Sequence, residues 1–212
     1  MKHGIYTCVI LMAFLALSES VYAAIPVLTV ASDTIRRVVI YFDQEETDVD
    51  SCYKTNNQEI NVLDSLLEER INSRYITALN VVTFVSPDGD SVYNAALSVR
   101  RNNSMREFLR QRYPYVDVEK IKLTSEGEDW SELRKLVDSD LPDREEVLML
   151  IDYHRDNIVK RKELLQKLNQ GMAYRYIVRN VLPKLRRAEI TVVRKVPEME
   201  KNIFEPVSSV SG

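Results

Sequence analysis

The chain has 212 residues, with 29 Lys and Arg against 32 Asp and Glu and a formal net charge of −3. That balance argues against nonspecific nucleic-acid binding through a basic surface, and the length suits one domain with an insertion or tails. With two cysteines and two histidines in all, disulfide frameworks, histidine metal sites and Ser–His triads have little to draw on.

The N-terminus reads as an export signal. Lys2 supplies a basic start, Ile5 to Leu17 an apolar core too short to span a bilayer comfortably, and Val21-Tyr22-Ala23 small residues at a peptidase site. We expect a signal peptide over residues 1–23 with cleavage after Ala23. No cysteine sits at that junction, so no lipid anchor is expected there. Cleavage would leave Cys52 as the one cysteine, excluding an intramolecular disulfide, and His154 as the one histidine. No later apolar run is long enough to span a membrane, nor is there the series of alternating segments of an outer-membrane barrel.

After a lead segment at 24–35, Arg36 to Phe42 reads as a strand, rich in β-branched and aromatic residues. Asp43 to Asn57 is polar and loop-like. Glu59 to Ile71 reads as a helix, with Ile60, Leu63, Leu67 and Ile71 on one face. Tyr75 to Val85 is a second strand. Pro87 and Gly89 then suit the second and fourth places of a type I turn, and Asp90 or Ser91 caps a second helix reaching about Arg112. A third strand is expected near Lys120 to Thr124. Gly127 to Trp130 opens another helix, broken at Ser139 to Pro142. Helices follow at Arg144 to Tyr153, Val159 to Leu168 and Met172 to Val181, the last ended by Pro183. Ala188 to Val193 is the final strand, and 197–212 is a polar tail. Strands alternating with helices imply an α/β or α+β sandwich.

On the second helix Tyr93, Leu97, Met105, Phe108 and Leu109 form an apolar stripe. Arg101 lies in or beside it. Asn94 and Arg101 are seven apart on one face, with Ser98 between them, directly after the turn. A pocket formed by these three side chains is expected where the second strand meets the second helix.

The run from Ser86 through Gly89, Tyr93, Asn94, Leu97 and Ser98 to Arg101 resembles the signature of the OmpA-like, peptidoglycan-associating domain family, roughly T-D-x-x-G-x-x-x-Y-N-x-x-L-S-x-x-R-A. The resemblance covers about Val38 to Trp130 and the last strand. It implies an α+β two-layer sandwich over 36–196: a small mixed sheet with helices mainly on one face, plus a helical insertion at 138–170. It also implies a non-enzymatic exported module of the periplasm or outer membrane that binds peptidoglycan or anchors an envelope assembly, without cofactor or metal. In the family an arginine holds the carboxylate of the stem residue diaminopimelate, and an aspartate holds its ammonium. Arg101 matches the arginine. Ser86 stands at the aspartate's place, and a hydroxyl cannot neutralise an ammonium. Asp88, two residues on, is the candidate substitute. The implied site is therefore Arg101, Asn94, Ser98, Ser86 and Asp88. The alternative keeps the fold and drops the cell-wall ligand, leaving a protein–protein adaptor in assembly of a surface appendage or envelope complex.

Other residues have plainer readings. His154 belongs to a core or boundary position. Glu126, Glu128 and Asp129 serve loops and caps before a cation, and Trp130 is buried before it stacks on a sugar. Lys160-Arg161-Lys162 is a solvated helix face, and Cys52 is a free thiol. One histidine and no nucleophile–base motif leave little room for a hydrolase.

Overall fold

A computed structural model describes residues 34–67 and 74–195. The expected signal peptide, the end of the first helix and the tail lie outside the described residues.

Alternating β-branched residues build four strands: β1 (Thr34–Tyr41), β2 (Ile76–Val85), β3 (Ile121–Glu128) and β4 (Arg187–Arg194). The order across the sheet is β1-β4-β2-β3. β4 runs antiparallel to both its neighbours, and β2 and β3 are parallel, so the sheet is mixed. One register row crosses it as Val38, Ile190, Val81 and Leu123. The first three are fully buried and Leu123 packs against them. Ile76 and Leu79 are both buried although strict alternation would put them on opposite faces. A register shift between Ile76 and Ala78 resets the alternation.

Two long helices cover this inner face. α1 (Asn56–Leu67) contributes Ile60, Leu63 and Leu67 to the core, and α2 (Ser91–Arg112) contributes Met105 and Leu109. α1 also closes the open edge of the sheet. Glu59 Oε2 accepts from Val39 N at 3.0 Å, and Asn56 Oδ1 from Tyr41 N at 2.7 Å. Edge-strand amides that would otherwise invite another strand are thereby satisfied. The expected α+β class, with a mixed sheet and helices on one face, is what the chain adopts.

The chain between β3 and β4 builds a second core. Its helices are α3 (Trp130–Lys135), α4 (Arg144–Tyr153), α5 (Ile158–Lys167), α6 (Met172–Asn180) and the one-turn α7 (Leu182–Leu185). Leu133, Leu141, Val147, Ile151, Leu165, Ile177 and Leu185 share one apolar cluster. The expected insertion at 138–170 is thus the middle of a larger helical layer. Other differences are local. β3 runs on to Glu128, past the expected end at Thr124, because Phe84 and Val85 pair with Gly127 and Glu128 across a register shift. α6 ends at Asn180 with Val181 as its cap, two residues before Pro183, and that proline also falls in the first turn of α7, where a missing N–H costs nothing. Tyr93, expected in the apolar stripe, is half-exposed at 45%.

Candidate functional site

The chain bends sharply where β2 ends. Gly89 takes φ +69°, a left-handed conformation suited to glycine. The expected type I turn is replaced by a bend held from α2. The Asn94 amide nitrogen faces Ser86 O, Asp88 O and Glu128 Oε1, and its two hydrogens serve two of these at a time. Asp90 is the cap, accepting from Tyr93 N at 2.8 Å. Asn94 therefore shapes the loop that its own helix follows.

Beside this bend opens a cleft of about 220 Å³. Ser86, Asp88, Asn94 and Arg101 all line it, with Gln44, Glu45, Tyr93, Tyr174 and Arg186 among the other walls. Four of the five expected site residues meet there. Ser98 does not. It is wholly buried, donates to Thr83 O at 3.2 Å, and accepts from Ser125 Oγ at 2.7 Å and Gly127 N at 3.3 Å. Its work is to clamp α2 to β2 and β3. The pocket expected for Arg101, Asn94 and Ser98 together thus lacks Ser98.

Arg101 forms the floor of the cleft and is itself wholly buried. Its Nε donates to Glu46 O and its Nη2 to Asp43 O, both at 2.9 Å, and the guanidinium lies 4.8 Å from the Phe42 ring. Nη1 reaches Phe84 O at 3.4 Å. Burial, and then the neighbouring Arg186, push its pKa down to about 10, with Asp88 opposing. Arg101 thus remains a cation at neutral pH while it ties the loop after β1 to the sheet.

Sequence reasoning missed three side chains here. Arg186 is 6% exposed, and its one side-chain bond among the described residues runs from Nε to Ser86 Oγ at 3.3 Å. No described carboxylate pairs with either Arg101 or Arg186. Lys162 reaches from the helical layer to the bend. Its Nζ donates to Gly89 O and Ser91 Oγ at 2.8 Å each and to Glu128, and the side chains of Lys162 and Glu128 are 10% and 8% exposed. Glu128 also accepts from Trp130 Nε1 at 3.0 Å. A signal for Arg186 existed in the pair Arg186-Arg187 at the mouth of an apolar strand. Arg187 pairs with Asp129 at 2.8 Å.

The run Lys160-Arg161-Lys162 is not a solvated face. Lys160 is exposed, but Arg161 is buried, with its guanidinium 4.4 Å from the Trp130 ring and Nε donating to His154 O. Lys162 is buried by the pair just described. Trp130 is half-buried against the helical core, and His154 sits at the C-cap of α4 in edge contact with Tyr153. Asp129 caps α3, accepting from Glu132 N. Cys52 is exposed and unbonded. Among the described residues no group of three or more His, Cys, Asp or Glu is disposed to hold a metal ion, and no helix is long and apolar enough to cross a membrane.

No family model and no curated protein matches the chain. Among solved structures it is similar to the OmpA-like domain of FopA1 from Francisella tularensis subsp. tularensis SCHU S4. The identity is 14% and the TM-score 0.40, over 79% of this chain and 77% of that one.

Proposed function

We propose that this chain is a non-enzymatic, exported OmpA-like module of the cell envelope, and that its cleft captures a peptidoglycan stem bearing both carboxylate and ammonium groups. The supporting observation is the convergence of four of the five expected site residues, Ser86, Asp88, Asn94 and Arg101, on one cleft. Its cations are buried, whereas Asp88 is half-buried and Glu45 exposed. A zwitterionic end fits that gradient with its carboxylate inward and its ammonium at the rim. Asp88 then does for the ammonium what Ser86 cannot.

A second reading, the adaptor, draws support from Arg101. Its donors are taken by the carbonyls of Asp43, Glu46 and Phe84, so its fork is engaged in holding the fold. The helical layer would then supply partner contacts. The experiment is a pull-down with intact diaminopimelate-containing sacculi. The wall reading expects retention of the wild-type protein, lost in Asp88→Asn by roughly ten- to hundredfold, the value of one charge-assisted bond. No retention of either protein leaves the adaptor. Arg101→Ala is a poor test, since it cuts the loop anchor as well. Export is checked separately: the mature protein recovered from the envelope fraction begins at Ala24.

A further inference from the structure

We infer that Arg186 is the carboxylate-binding residue of the cleft, with Ser86 as its positioning partner. The inference rests on the wall-binding reading and names the group that makes its first contact. Two arginines face the cleft, and their situations differ. Arg101 is wholly buried, and each of its three guanidinium nitrogens already has a backbone acceptor. Arg186 is nine-tenths buried, and only its Nε is engaged, by Ser86 Oγ. Of the described residues, none accepts from its two terminal nitrogens. A guanidinium whose body is packed away while its fork opens to a cleft is a strong attractor for a planar anion, because its plane is already held and the two terminal nitrogens are free to bond it together.

Ser86 explains how the fork is held. Its hydroxyl accepts from Nε and keeps its own proton to donate, so it can fix the plane of the guanidinium and still offer a bond to the anion. An aspartate here would sit beside Nε and neutralise the cation. The residue that departs from the family pattern is therefore what leaves Arg186 available. Asp88 and Glu45 on the same cleft disfavour a dianion such as phosphate. A carboxylate carried with a nearby ammonium meets both signs of charge. Asp43, on the neighbouring loop, is exposed and accepts from Gln44 N at 2.7 Å.

The test uses the purified protein and three small probes: butyrate, meso-diaminopimelate and 1,5-diaminopentane. The arginine Nε–Hε resonances are followed by NMR. Both carboxylate probes should shift the Arg186 signal saturably, and the diamine should not. Arg186→Gln should weaken diaminopimelate about ten- to hundredfold, and Arg186→Lys, which keeps the charge without the fork, by less. Ser86→Asp should also weaken it, whereas a site in which Ser86 merely lacks the old ammonium partner would bind more tightly with the aspartate restored. Ser86→Ala, a milder change, should stay within a few-fold of wild type and controls for misfolding of the aspartate variant. Tighter binding in Ser86→Asp, or unchanged binding in a folded Arg186→Gln, overturns the assignment. Small carboxylates that bind while sacculi do not would sustain Arg186 and sink the wall reading. Sacculi that bind Arg186→Gln as well as wild type would do the reverse.

Discussion

The strongest quantitative expectation concerns Lys162→Met. Lys162 brings an ammonium from α5 into a pocket floored by Glu128 and roofed by Gly89 O and Ser91 Oγ. Methionine fills a similar volume but supplies no donor. Glu128 then keeps a buried charge with the neutral donors Asn94 Nδ2, at 2.8 Å, and Trp130 Nε1, and with the Arg161 cation nearby. Removing one partner of a buried pair costs about 3–5 kcal/mol, and the two surviving donors favour the low end, about 3. For a fold of this size that lowers the melting temperature by about 6–12 °C. Amide exchange across 86–94 should speed up with it, since the bend loses its tie to the helical layer. The control is Lys162→Met with Glu128→Gln, which removes the stranded charge and should recover most of the loss. Urea unfolding of the four proteins of this cycle is the assay. A single-mutant loss below about 1 kcal/mol, or a double mutant no better than the single, would refute the claim that this pair joins the two layers.

Three further expectations concern single sites. Asp152 is held by Arg134 at 2.9 Å and by Arg155 at 3.0 Å, and those bonds lower its pKa to about 2. The native state then binds fewer protons than the unfolded one between about pH 4 and 2, so the stabilisation is intact above pH 4 and lost as pH falls through that window. A carboxyl-carbon NMR titration centred near 4 would contradict this. Tyr113 is buried and donates to Asp64 Oδ1 at 2.7 Å; Tyr113→Phe should cost about 1–2 kcal/mol in denaturant unfolding, since Arg112 still pairs with Asp64. Burial, then Asp64, also raise the phenol pKa, so absorbance at alkaline pH should show it ionising after the exposed tyrosines. Gly89→Ala meets open space at its Cβ, so its cost is the left-handed backbone alone, about 1–2 kcal/mol; a neutral result by thermal melting would deny that conformation.

The fold was legible where one-dimensional patterns suffice. The helix at Arg144 to Tyr153 follows from apolar spacing, that at Ser91 to Arg112 from apolar spacing and the capping Asp90, and β2 from its run of Val81, Val82, Phe84 and Val85. The signature also placed Asn94 and Arg101 on the inward side of α2, because neighbours on a helix face are fixed by spacing. Strand order was not legible, since β4 inserts between β1 and β2 from the far end of the chain.

What only the tertiary structure decided is which polar side chains are buried, and against what. Ser98 and Arg101 share a face of one helix, yet Ser98 binds β2 and β3 while Arg101 binds the loop after β1. Lys162 reads as one more charge in a basic run until Glu128, 34 residues away, is beside it. Arg186 meets Ser86 across 100 residues. The physical reason is the cost of desolvating a charge: an ammonium or guanidinium leaves water only where another segment brings acceptors to it. Periodicity within a segment carries the first half of that condition, a position on the inner face. The second half, the acceptor, belongs to packing between segments, and there the candidate site of this protein took its form.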